Sequence, residues 1–261
     1  PRFVAGVPPD YFSAGGQLWG NPLYDWSAMA ADDYRWWRAR CKAALQLADI
    51  VRIDHFRGFE AFWAVPAGRE NAIQGTWMAG PGQDLFASMQ KYLGPLPVIA
   101  EDLGLITRSV EQLRDKFNYP GMKVLHFLFE AAAADNGPPA ELPRNSVVYT
   151  GTHDNNTTVG WLEECLAEKP EVMAYLRRNL GLENGYTSAG ACWRIIEFAF
   201  AAEANTVIIP LQDILCLGAK ARMNRPGTVG GNWVWRCRRR SFSPRLADRL
   251  AGLTRKYDRG S

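Results

Sequence analysis

The chain has 261 residues, 47% of them hydrophobic and 22% charged, with a formal net charge of +3. That is ordinary globular composition, with enough apolar residues for a sizeable core. One short basic run, at Arg236 to Arg240, gives nucleic-acid binding little support, and no apolar stretch approaches the roughly 20 residues of a membrane span.

Five cysteines (Cys41, Cys165, Cys192, Cys216 and Cys237) are scattered, with no CxxC pair and no zinc-type spacing to histidine. They read as reduced thiols of a cytoplasmic protein. Ten tryptophans are mostly core residues on this reading, with a few exposed rings able to stack on sugar faces.

Residues 1–26 read as a loop, because Gly6 to Pro22 is rich in glycine and proline. Asp32 is placed to cap a helix through Tyr34, Trp37, Cys41, Leu45 and Ala48. Residues 49–54 read as a short buried strand, Asp84 to Tyr92 as a helix, and Pro97 to Glu101 as the next strand. Ser109 is expected to cap a helix through Val110, Leu113 and Phe117, with Gln112 completing a capping box. Met122 to Phe129 and Ser146 to Thr150 read as strands. Helices follow at 157–167, 170–180 and 188–204, then a strand at Val207 to Ile209 and a terminal helix from Ala247 to Tyr257. Strands alternating with helices favour a parallel α/β sheet. Five strands are expected, near residues 50, 98, 125, 148 and 208, where a closed barrel of this type has eight.

Three of these strands run into acidic residues. Val51-Arg52-Ile53 leads to Asp54, Val98-Ile99-Ala100 to Glu101, and Val148-Tyr149-Thr150 to His153-Asp154. Strand ends are where an α/β barrel gathers its chemistry. Arg52, two residues before Asp54, shares its face and can fix an ionised carboxylate, the setting of a nucleophile. Glu101, beside other acids and apolar residues, can hold a proton at neutral pH, the setting of a general acid/base. Asp154 and His153 can bond the hydroxyls of a distorted sugar ring. Two acids on neighbouring strands can approach about 5 Å, the spacing of retaining glycosidases. Each segment alone also fits a plain alternative: a strand-end ion pair, a capped loop, an Asx turn. A metallohydrolase using Asp54, His55, Glu101, Asp102, His153 and Asp154 is a competing class, disfavoured by the presence of only three histidines, with His126 reading as a core residue. A non-catalytic glucan-binding module and an α-glucan hydrolase remain alternatives.

Taken together, the segments Gly6 to Ser13, Gly16 to Pro22, Arg52 to Gly58, Gly80 to Gly82, Ile99 to Gly104, Pro120 to Leu125, Gly151 to Asn155, Val207 to Asp213 and Ala221 to Asn224 resemble glycoside hydrolase family 77, the 4-α-glucanotransferases or amylomaltases. The resemblance implies a (β/α)8 TIM barrel of the α-amylase type. It also implies transfer of α-1,4-glucan segments between maltooligosaccharides, starch or glycogen-derived glucans through a covalent glucosyl-enzyme, with no cofactor and no metal. On it, Asp54 is the nucleophile, Glu101 the acid/base and Asp154 the transition-state stabiliser. Arg52 and His153 assist, and Asp10, Asn21 and His55 join the substrate-binding set. Residues 1–26 become a lid over the acceptor side, lined by Tyr11, Phe12, Ser13 and Trp19. Ala14-Gly15-Gly16 is richer in glycine than the family's usual lid, which should loosen it. Family members are about twice as long. The first three or so strands are therefore expected to be absent, with a missing N-terminal half as a candidate partner and little or no activity in this chain alone.

Overall fold

The computed structural model describes residues 2–9, 13–138, 141–182 and 186–260. The chain divides into two compact units, Pro1–Met122 and Lys123–Ser261.

In the first unit, β1 (Phe3–Val7) and β2 (Gln17–Pro22) form an antiparallel pair. This corrects the loop reading of residues 1–26. After α1 (Trp26–Ala31), α2 (Arg35–Leu45) and β3 (Val51–Ile53), two further strands, β4 (Ala61–Pro66) and β5 (Thr76–Ala79), complete an antiparallel sheet of order β2-β1-β4-β5. Glycine misled the sequence reading because here it serves packing. A β-carbon on Gly6 would press into the Gln17 carbonyl and Val65 across the sheet. Gly16, at φ +64°, closes the turn in which its N–H donates to Ser13 O.

Helix α2 starts later than its apolar pattern suggests, since Tyr34 sits in the left-handed region, and Asp32 Oδ1 accepts the Arg35 N–H at 3.2 Å. Then come α3 (Gly82–Leu93), β6 (Val98–Ala100) and α4 (Arg108–Lys116), followed by β7 (Gly121–Val124). Strand β6 lies parallel to both β3 and β7. The helix at 108 is not capped by Ser109. Thr107 is the extended residue before the first turn, and its hydroxyl bonds Ser109 at 2.9 Å instead of a main-chain N–H. Phe56, Leu85, Phe86 and Met89 anchor the core of this unit, with the Phe56 and Phe86 rings stacked at 5.3 Å.

The end of β6 is tied down by its second acid. Asp102 is buried, pairs with Arg114 at 2.5 Å and accepts the Met122 N–H at 2.7 Å. A side chain on Gly121 would occupy the place of that carboxylate. Asp102 thus fixes β7 against β6 and leaves Glu101 as the acid facing out of the strand end.

The second unit begins with α5 (Leu125–Ala134), so the strand expected over Met122 to Phe129 stops at Val124. Short apolar runs do not distinguish strand from helix. Here Leu125, Phe129 and Ala132 bury one helical stripe, and His126 is buried on this helix instead of on a strand. Next come β8 (Ser146–Tyr149), α6 (Thr158–Glu168), α7 (Pro170–Leu180), α8 (Ser188–Ala201), β9 (Thr206–Ile208), α9 (Leu211–Ile214) and α10 (Pro244–Lys256). Strands β8 and β9 pair in parallel, Val148 opposite Val207. Leu162, Leu176, Ile195 and Ile196 are fully buried between the helices. The architecture is a mixed α/β fold, and all five expected parallel strands are present. Among the described residues no helix is long and apolar enough to cross a membrane.

Candidate active site

The first unit gathers four of the expected site residues at the ends of β3 and β6. Alternation along β3 puts Arg52 and Asp54 on one side. Arg52 Nη2 lies 2.7 Å from Asp54 Oδ1, and the Asp54 side chain is 75% exposed. So open a pair adds little stability, and what it supplies is orientation. The chain then turns sharply at His55, whose φ of +46° is a left-handed conformation that histidine adopts more readily than most residues. Buried Phe56 and the 3-10 turn it begins hold this corner.

The turn aims the His55 N–H at Glu101 Oε2, 2.7 Å away, while the Leu103 N–H donates to Glu101 Oε1 at 2.9 Å. The main chain repeats the link: Glu101 N–H donates to Ile53 O and Phe56 N–H to Glu101 O, each at 2.9 Å. Burial pushes the Glu101 carboxyl above the usual glutamate range. The two main-chain donors oppose that rise, nearby Asp54 adds to it, and Arg52 opposes it more weakly. Burial also lowers the His55 pKa, against the pull of Asp54. The Trp19 ring meets His55 edge-on at 4.8 Å, which brings β2 to the same corner.

The second unit builds another acidic turn after β8. Asn155 Oδ1 accepts the Thr152 N–H and hydroxyl, both at 2.8 Å, and Thr152 Oγ1 accepts the Asp154 N–H at 3.3 Å, so side chains close the turn that the sequence reading placed here. It presents His153 and Asp154 together, with His153 Nε2 3.3 Å from Asp154 Oδ2. Asn224 Nδ2 donates to Asp154 Oδ1 at 2.6 Å, and its main-chain N–H donates to His153 O at 3.1 Å. Arg222 donates to the Asp154 carbonyl at 2.6 Å and to Asn224 O at 2.7 Å. The half-exposed Trp233 ring leans on His153 at 5.2 Å. A cavity of about 110 Å³ opens beside the turn, lined by His153, Asn155, Gln212, Arg222 and Met223 among others.

Buried Asp213 braces this turn from behind. Its carboxylate accepts the Thr158 N–H at 2.7 Å, the Thr158 hydroxyl at 2.8 Å and the Thr150 hydroxyl at 2.6 Å. Burial raises its pKa against those three donors. His126 bonds the same Thr158 hydroxyl at 3.0 Å and stacks on Trp161, and burial drives its pKa down to about 3, so it is a neutral core residue.

Of the other expected residues, Ser13 belongs to the β1–β2 turn, its hydroxyl donating to Gly16 O at 2.7 Å, and Asn21 is exposed on β2. Asp10, Tyr11 and Phe12 lie outside the described residues. The sequence reading gave no role to Arg222, Asn224, Trp233 or Asp213. Arg222, Asn224 and Asp213 sit in motifs that carried the family resemblance, and Trp233 carried no local signal.

The 4-alpha-glucanotransferase model of glycoside hydrolase family 77 matches residues 2–241. A 4-alpha-glucanotransferase of Synechocystis is 50% identical across 98% of this chain and 50% of its own length. That of Thermus thermophilus is 43% identical across 99% of this chain and 52% of its own. Among solved structures, the amylomaltase of Streptococcus agalactiae in complex with acarbose superposes with a TM-score of 0.92 at 36% identity, covering all of this chain and 52% of that one. The chain thus spans about half the length of the relatives it matches. The match to the family model over most of its residues places the chain in glycoside hydrolase family 77, the 4-alpha-glucanotransferases.

Proposed function

We propose that these residues serve a retaining 4-α-glucanotransferase, which moves α-1,4-glucan segments onto the 4-hydroxyl of glucose or a maltooligosaccharide. Asp54 attacks the anomeric carbon, and Glu101 protonates the departing oxygen. The covalent glucosyl-enzyme is then released by an acceptor hydroxyl that Glu101 deprotonates. Asp154, seated by Asn224 and His153, stabilises the oxocarbenium-like ring. Arg52 keeps Asp54 oriented, and Trp19 and His55 offer a ring edge to the sugar. The β1–β2 hairpin acts as the acceptor-side lid that lets a sugar compete with water, and Asp10, Tyr11, Phe12, Ser13 and Asn21 belong to the substrate-binding set. The fold in which this occurs is a (β/α)8 barrel of the α-amylase type, and the compartment is the cytoplasm.

The observation that carries the proposal is the unequal treatment of two linked acids. Exposed Asp54 is paired with a guanidinium, while Glu101 is part-buried and pushed toward its protonated form. Retaining chemistry asks for one carboxylate ready to attack and one ready to give a proton. The bound acarbose of the Streptococcus agalactiae amylomaltase supports an α-glucan as the ligand.

The test is a chimera in which this chain replaces the matching half of the Synechocystis enzyme, incubated with maltotriose. Glucose together with longer maltodextrins is the expected outcome. Hydrolysis products alone would favour an α-glucan hydrolase, and binding without turnover would favour a glucan-binding module. Assayed as 261 residues alone, the chain is expected to show little or no transfer, and robust transfer by that preparation would overturn this part of the proposal.

A further inference from the structure

Two cysteines far apart in sequence meet in the second unit. Cys192 lies on α8 and is fully buried, whereas Cys216 follows α9 and is partly exposed. Each thiol points at the other's segment. The Cys192 S–H donates to Asp213 O at 3.4 Å, three residues before Cys216. The Cys216 S–H donates to Ala189 O at 3.7 Å, one turn before Cys192 on the same helix face. Asp213 O also accepts the Cys216 main-chain N–H at 2.9 Å, so one carbonyl joins the Cys192 thiol to the Cys216 backbone. Cys41 and Cys165 are buried, and Cys237 is partly exposed at a separate place in the chain.

We infer that Cys216 and Cys192 form a reversible thiol-modification site, in which a small disulfide such as glutathione disulfide modifies Cys216 and Cys192 resolves the adduct into a Cys192–Cys216 disulfide. The surroundings divide the labour. The neighbouring Cys192 thiol is the largest influence lowering the Cys216 thiol, to about 7. Burial works against it, contact with Trp193 and the Arg249 guanidinium assist, and the Asp213 carboxylate opposes. Arg249 lies 3.8 Å over the Trp193 ring, so its charge is held near the pair. Cys192 is pushed the other way and stays protonated. The accessible sulfur is therefore the nucleophile and the buried one the resolving thiol.

The steps balance. The Cys216 thiolate attacks one sulfur of glutathione disulfide, forming a mixed disulfide and expelling glutathione thiolate. Cys192 then attacks the Cys216 sulfur, its proton passes to the second departing glutathione, and the net reaction turns one glutathione disulfide into two glutathiones. The new bond takes the S–H donor from Asp213 O, the main chain of the residue whose carboxylate braces Thr150 and Thr158.

The experiment treats the purified chain with glutathione disulfide, alkylates the remaining thiols and maps peptides by mass spectrometry. We expect a Cys192–Cys216 disulfide peptide that dithiothreitol removes, and initial alkylation of Cys216 about five- to tenfold faster than Cys237. Cys192→Ser should stop at the glutathione adduct on Cys216, and Cys216→Ser should leave Cys192 unmodified. Equal reactivity of Cys216 and Cys237, or a wild-type adduct that never resolves, would overturn the inference. Both of these are read on the wild-type chain, so a variant that fails to fold does not shield it.

Discussion

Glu101 follows β6 directly and is held by main-chain donors, the His55 and Leu103 N–H groups at 2.7 and 2.9 Å, whereas Asp154 stands beyond β8 in a side-chain-built turn, gripped by Asn224 and His153. The difference concerns what mutation can reach. No substitution removes a main-chain N–H except proline, so the first cluster depends on backbone path. In the second, single side chains hold the carboxylate and its turn, and each can be deleted. Stability should separate from positioning in the second region and not in the first.

The largest effect is expected at the first cluster. Asp54→Asn in the active chimera should lower transfer by a thousandfold or more, of the order seen when a covalent nucleophile is removed, with unfolding stability nearly unchanged because the side chain is exposed. Retention of more than a trace of transfer would remove Asp54 from the nucleophile's role. Next, Asp213→Ala should destabilise the second unit by about 2–4 kcal/mol, measured by urea unfolding, because three donors lose a buried acceptor. A loss under about 0.5 kcal/mol would show that the turn does not depend on this brace.

Asn224→Ala should then sharpen the contrast. It removes one of the two holds on the Asp154 carboxylate while the Thr152–Asn155 turn stays intact, so turnover should fall about ten- to a hundredfold with little change in stability. A variant as unstable as Asp213→Ala would show that Asn224 is structural.

The smallest effect is electrostatic. Glu101 is held above its unfolded pKa, by burial first. Its contribution to stability is therefore full below the unfolded value and fades as pH rises through the folded one. Relative to Glu101→Gln, the wild type should lose ground across that window, and a stability gap that does not change with pH would contradict the raised carboxyl.

What the sequence made legible follows from range. Strands β3, β6, β8 and β9 were readable because runs such as Val51-Arg52-Ile53 and Val207-Ile208-Ile209 carry their preference within a few residues, and the Arg52–Asp54 pair needs only alternation. The antiparallel sheet was not, since β1 contains Gly6, β4 ends in Pro66, and both features are explained only by chain brought from elsewhere. Helix α5 was missed because Leu125 to Phe129 is too short an apolar run to show its period. In the site, the acids, Arg52 and His153 were visible but the remaining holders were not. The donors to Glu101 are main-chain groups set by a left-handed His55, and those to Asp154 arrive from residues 222–224, far along the chain.

The left-handed corner at His55 joins two functions in one joint. The residue that swings the chain away from Asp54 also supplies the N–H that grips Glu101. Any change that relaxes φ at this position rotates the strand end under one acid and withdraws a proton-tuning donor from the other. On the roles proposed for Asp54 and Glu101, attack geometry and acid strength are thus not independently adjustable by natural variation at position 55. A glycine there would keep the turn and the donor but give up the imidazole against Trp19, while a β-branched residue would lose the turn, the donor and the aim together.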